Sequence, residues 1–208
     1  MITHVHHSEQ DLLLGNNMVK VGKDWVDAYF AYGVDVLNRR LFLLGTIEEE
    51  NVTRLIQGLY LMDAVAGSDT KKITLVVNSY GGSVYDALAL YDAMRTVKAP
   101  IETVAIGKCM SAATLIISAG DTRWATPNCS FMIHDISSWE EEKKVSTMMV
   151  ELKHSEHLRQ RFIQLLEKHT KLPKAKIKQF CGDRADHYFD AETAVEYGFI
   201  DNLWSEKD

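Results

Sequence analysis

Ser111, in the run Gly107-Lys-Cys-Met-Ser-Ala-Ala113, is the residue on which covalent chemistry would turn. It follows a strand-like stretch and opens a helix-like one, which sets its hydroxyl at a helix N-terminus. Free backbone N–H groups and the helix dipole favour negative charge there. The position also suits an ordinary N-cap serine, so the residue alone does not identify a nucleophile. A serine hydroxyl is inert at its own pKa and needs a base within hydrogen-bond reach. His134, closing Ser130-Phe-Met-Ile-His134, is the candidate base, although a structural histidine would also suit that place. The base in turn needs a third group to hold its tautomer. Asp135 adjoins it, but consecutive strand residues point to opposite faces. Asp183 and Asp186, in Asp183-Arg-Ala-Asp186, are better candidates, and spacing does not choose between them.

Other groups bear on the same chemistry. Asn78-Ser-Tyr-Gly-Gly82 ends a parallel strand, at the sheet edge where open α/β folds bind ligands. Its paired glycines permit close backbone approach, and their N–H groups suit an oxyanion or a peptide backbone, or simply a tight turn. Lys108 would serve a Ser–Lys pair, but three residues before Ser111 in a loop it is expected to face solvent. Cys109 reads as a small packed residue with no histidine implied beside it. His4, His6 and His7, and the pair His154 and His157, form no recognisable set with carboxylates or thiolates at metal-ligand spacing, so no metal is expected.

The elements that must position these groups follow from periodicity. Leu37–Leu44 reads as a strand. Thr46 and Glu49 have capping-box spacing, opening a helix with Val52, Leu55, Ile56, Leu59 and Met62 on one face. Lys72–Val77 is a buried strand broken at Gly81-Gly82. A helix with Val84, Leu88, Tyr91 and Met94 inward comes next, then a strand at Ile101–Ile106 and a short helix at Ser111–Ala119. Short strands at Thr122–Ala125 and Ser130–His134 follow. Alternating strands and helices imply parallel strands joined by crossovers, hence an α/β fold. From 140 to about 169, Val145, Met148, Met149, Leu152, Phe162, Ile163 and Leu166 recur at helical spacing. That helix is long for a globular domain, and its polar middle, Lys153–His157, predicts projection towards another subunit. A short helix at Ala191–Tyr197 stops at Gly198, and Phe199–Asp201 is the last strand.

Bulk properties narrow the classes. The chain has 208 residues, 46% of them hydrophobic and only three proline, enough for one domain with a sizeable core. A formal charge of −6 argues against nucleic-acid binding. The basic run Lys171–Lys178 reads as a solvated helix start. No stretch approaches the roughly 18–20 apolar residues of a membrane span, and the N-terminus has no secretory pattern. Three cysteines without a CxxC pair read as reduced thiols, with the cytoplasm as the expected compartment.

In combination the motifs resemble the proteolytic subunits of the Clp protease family. The resemblance rests on Asn78–Gly82, the serine helix ending Ser118-Ala-Gly120, the run Pro127-Asn-Cys-Ser-Phe-Met-Ile-His134 and the tail Ala194-Val-Glu-Tyr-Gly-Phe-Ile-Asp201. These stand in the family's order at nearly its spacing, over about residues 37 to 203. The resemblance implies Ser111 as nucleophile, His134 as base and Asp186 as the orienting acid, with Gly82 and Ala112 N–H groups as the oxyanion hole. It implies a crotonase-like α/β domain at 35–208 carrying a handle helix at about 140–169, after a divergent axial or docking segment at 1–34. It further implies a ring homo-oligomer, with heptamers stacked in pairs as a tetradecamer in the family pattern, that degrades unfolded polypeptides delivered by an ATP-dependent unfoldase of the AAA+ type. The subunit itself would need no cofactor, ATP being used by the partner.

Three stretches depart from the family pattern: Cys109-Met-Ser-Ala-Ala113 around the serine, the glycine-free segment Asp135–Lys144, and the N-terminal thirty-odd residues. A diverged form, such as a phage-borne copy, would carry such departures. The alternatives they leave open are a catalytically silent ring or scaffold subunit and a Ser–Lys peptidase of the same fold. Acyl-CoA chemistry on that fold would not call for Ser111, His134 and Asp186 together.

Overall fold

A computed structural model describes residues 10–14, 17–21, 32–66, 71–136 and 145–204, with side chains from residue 32 onward except at 145 and 146. The histidines at 4, 6 and 7, most of the segment 1–34 and the start of the handle at 140–144 lie outside the described residues. Within the N-terminal stretch expected to be irregular, β1 (Gln10–Leu14) and β2 (Asn17–Val21) form an antiparallel pair.

The remaining strands make one sheet in the order β10-β7-β6-β5-β4-β3. Its centre is the parallel run β4 (Arg40–Ile47), β5 (Ile73–Gly82), β6 (Ile101–Met110) and β7 (Thr122–Ala125). The edges are β3 (Val34–Asp35), antiparallel to β4, and β10 (Asn202–Leu203), parallel to β7. The crossovers are α1 (Glu49–Val65), α2 (Val84–Thr96) and α3 (Ala113–Ser118), as the alternation of elements requires. Along β5, Ile73, Leu75, Val77 and Ser79 turn into the core while their neighbours stay half-exposed, the period-two signature of a strand with one covered face.

One feature of β6 positions the site. Its first half pairs with β7, and its second half, Lys108–Met110, pairs with β8 (Ser130–Ile133). The sheet therefore continues past the level where β7 ends, and β9 (His187–Phe189) adds antiparallel to β8. The chain reaches β9 through α4 (Val145–His169) and α5 (Lys174–Phe180), and leaves through α6 (Ala191–Tyr197).

Several boundaries differ from the sequence expectation. Residues 36–39 form a turn, so the first long strand starts at Arg40 and runs on to Ile47. Thr46 consequently belongs to β4, the N-cap of α1 is Glu48, and no side chain caps that helix. The capping box fails because ladder pairing with β5 claims Thr46 before the helix can. Gly81 and Gly82 stay within β5, and the last strand falls at Asn202–Leu203. Gly198 ends α6 as expected, in the left-handed conformation (φ 77°), the usual helix stop.

The two ends of α4 differ. Phe162, Ile163, Leu165 and Leu166 are buried in the core, whereas Met148, Met149, Val150 and Leu152 are exposed. At the buried end, the Tyr91 hydroxyl meets His169 Nε2 at 2.9 Å, and the His169 carbonyl accepts from Arg123 Nη1. Burial, reinforced by the charges of Lys168, Arg95 and Arg123, pushes the His169 pKa from 6.5 down to about 4. In that window the unfolded chain binds a proton that the folded chain refuses, so stability falls as pH drops from 6.5 towards 4. Allowing for partial exposure, the loss should be on the order of 2 kcal/mol. Thermal denaturation of the wild type should therefore lose ground to His169→Gln over this range. Parallel pH profiles would refute the assignment of a neutral His169 in the folded chain.

Candidate active site

Ser111 sits in the junction between β6 and α3. Its φ of 52° is unusual for a residue with a Cβ, and the surroundings hold it there. Its N–H donates to the Met132 carbonyl at 2.7 Å, and its carbonyl accepts from Thr114 N at 3.0 Å and Thr114 Oγ1 at 2.7 Å. Ser111 is thus tied to β8 on one side and to the first turn of α3 on the other. The helix N-cap is Ala112, so the N-capping alternative for the serine does not hold. Gly81 passes directly over it, since a Cβ on Gly81 would stand 2.7 Å from the Ser111 Cβ. With φ 96° as well, the position excludes a side chain on both grounds.

His134 follows β8 immediately, and its Nε2 lies 2.7 Å from Ser111 Oγ. Both residues depend on the late β6–β8 pairing: Met110↔Met132 is the last register pair before each chain turns to its functional residue. The third group arrives through the β8–β9 ladder. Ile133 pairs with His187, so one step further in this antiparallel register Asp186 faces His134. Asp186 Oδ1 is 3.8 Å from His134 Nδ1, beyond hydrogen-bond length, with the carboxylate half-exposed. Such contacts are commonly long without substrate and tighten in the reacting complex.

The other carboxylates are engaged elsewhere. Asp183 Oδ1 lies 2.6 Å from His187 Nε2. Asp135 accepts from the Ile136 N–H and faces Arg159 at 4.0 Å. The alternatives left open by spacing are thereby separated: only Asp186 of the three approaches the free nitrogen of His134.

Gly82 and Ala112 line the same cleft as Ser111 and His134, together with Val84, Asp135, Ile136 and Phe162. The Ala112 N–H opens a helix, where donors have no intrahelical acceptor. Val84 and Phe162 were legible in the sequence only as apolar helix positions; no local signal marks them as cleft walls. Lys108 turns away from the serine: its ammonium binds Asn78 Oδ1 at 3.0 Å and lies 4.4 Å above the Tyr80 ring. A Ser–Lys arrangement is therefore not formed. Cys109 is fully buried, and burial drives its thiol well above its usual pKa. Burial likewise pushes Cys129 and Cys181 up to about 12. None of the three is a thiolate near neutral pH, and none is a rival nucleophile.

A larger groove, about 790 Å³, lies across the first halves of β4, β5 and β6. It is lined by Phe42, Val76, Val104, Ile106 and Trp204, and its buried Glu102 is held by Lys72 and Thr74. It does not reach Ser111, so its size has no bearing on the chemistry. Among the described residues, no helix is long and apolar enough to cross a membrane.

The arrangement can activate a hydroxyl at Ser111, hold the proton on His134 and offer backbone donors to a developing oxyanion. Comparison with known proteins agrees in kind. The model of the family described as Clp protease matches residues 24–207. A protein of Deinococcus radiodurans, described as an ATP-dependent Clp protease proteolytic subunit, is 32% identical over 171 residues, covering 81% of each chain.

Proposed function

This chain belongs to the Clp protease family and is a serine peptidase of that type, and we propose that it cuts unfolded polypeptides inside a ring-shaped chamber through an acyl-enzyme on Ser111. The observation that carries this reading is the 2.7 Å contact between Ser111 Oγ and His134 Nε2. His134 takes the serine proton as Oγ attacks a peptide carbonyl, then delivers it to the departing amine. The N–H groups of Gly82 and Ala112 stabilise the tetrahedral oxyanion. Asp186 holds the imidazole with Nε2 free to accept and stabilises the imidazolium. Water then repeats the sequence in reverse and releases the acyl product.

The exposed stripe on α4 supports assembly. Met149 is 59% exposed and Leu152 71% exposed, and apolar surface of this kind usually marks an interface. A chamber would also keep an unselective peptidase away from folded cytoplasmic proteins. An ATP-dependent unfoldase would supply the polypeptide, which leaves this subunit without need of a nucleotide or other cofactor.

Native mass spectrometry of the wild type should show a ring homo-oligomer, with stacked heptamers as the expected form and single rings detectable beside them. Replacing Met148 and Met149 with Glu should separate stacked rings and depress peptide hydrolysis. A stable monomer with full activity at micromolar concentration would sink the assembly reading. A silent scaffold subunit would form the same rings yet hydrolyse nothing.

A further inference from the structure

The position of Asp186 is inherited from a short segment. Its carboxylate is half-exposed, and its contacts are long: 3.8 Å to His134 Nδ1 and 3.5 Å from the Tyr188 hydroxyl. Neither holds a carboxylate in place. It stands one residue before β9, which is three residues long and, among the described residues, pairs only with β8. Something else must keep this end of β9 in register.

The residues on either side of Asp186 provide it. His187, the first residue of β9, lies with Nε2 2.6 Å from Asp183 Oδ1. Its ring stacks on Phe180 at 4.4 Å between centroids and 29° between planes. Phe180 is buried at the end of α5. Asp183 is anchored to the same helix, its N–H donating to the Gln179 carbonyl at 3.0 Å. The loop Asp183-Arg-Ala-Asp186 is therefore closed at its base by a side-chain contact between its first residue and the residue that follows its last.

We propose that Asp183 and His187, seated on Phe180, form a latch that sets Asp186 against His134. They are positioning residues: neither reaches Ser111 or His134, and each acts through the backbone to which Asp186 is attached. The His187 Nε2–H donates to the carboxylate, the ring face rests on Phe180, and the loop between them cannot swing outward without breaking one contact or the other. Displacing a reacting group's support by about an ångström can cost up to ~10²-fold in rate, so the latch has a measurable consequence. The inference rests on the peptidase reading and deepens it.

Peptide hydrolysis by the assembled protein, with fluorophosphonate labelling rate as a second readout, tests it. Asp183→Ala should lower kcat about ten- to hundredfold and slow labelling in step, with KM unchanged. Asp183→Asn, whose amide oxygen still accepts from His187, should recover most of the activity. In the Asp186→Asn background, Asp183→Ala should cost almost nothing more, because the group being positioned has already lost its charge. Should Asp183→Ala fail to assemble, His187→Leu removes the donor while keeping apolar contact with Phe180, and the same pattern is expected. The latch is overturned if Asp183→Ala hydrolyses peptide like an active wild type, or if it costs the same factor in both backgrounds. A wild type that neither hydrolyses peptide nor takes the label overturns the peptidase reading, and the latch with it.

Discussion

Ser111→Ala should abolish peptide hydrolysis and labelling by a fluorophosphonate while leaving the fold and the assembly in place. Removing the nucleophile of a serine triad costs on the order of 10⁶ in kcat, about 8 kcal/mol of transition-state stabilisation. The structure explains why the variant should remain folded. The backbone of Ser111 is held by Met132 and Thr114, and among the described residues its side chain bonds to His134 alone. An alanine keeps the backbone bonds and the small volume. The check is an adduct mapped by mass spectrometry on the wild-type peptide containing Ser111, absent from the variant. Labelling at Cys109, or full activity in Ser111→Ala, would end the serine-peptidase assignment at this residue. Cys109 is a poor competitor, being buried and protonated.

Asp186→Asn should produce the second-largest loss, up to about 10⁴-fold in kcat, because an amide facing Nδ1 favours the wrong tautomer of His134. Asp183→Asn and Asp135→Asn should be mild by comparison. Asp183 binds His187 and Asp135 faces Arg159, so neither substitution removes a charge from beside Nδ1. Parallel measurement of the three variants ranks them. A severe Asp183→Asn beside a mild Asp186→Asn would show that the third triad member had been placed on the wrong side of the loop.

The parts legible in the sequence share one property: their cause is local. The apolar run Lys72–Val77 predicts the start of β5, and the 3.6-residue recurrence of Val52, Leu55, Leu59 and Met62 predicts the buried face of α1. The stripe on α4 was visible for the same reason, as was the stop at Gly198. Boundaries failed where a long-range pairing outbid a local signal. Thr46 looked like a helix cap until the ladder with β5 drew it into a strand, and β6 runs on to Met110 because β8 is there to pair with it.

The candidate site divides in the same way. Residue types and chain order were enough to nominate Ser111 and His134, and the combined motifs pointed to the Clp family. Tertiary structure decided the rest. The 2.7 Å approach of His134 to Ser111 depends on β8 pairing with the end of β6, a contact between residues more than twenty apart in the chain. The separation of Asp183 from Asp186 depends on two distant anchors: the β8–β9 register sets Asp186 opposite His134, while Asp183 stays tied to the end of α5 through the Gln179 carbonyl. That choice is a fact of geometry between distant segments, which spacing within either segment does not contain.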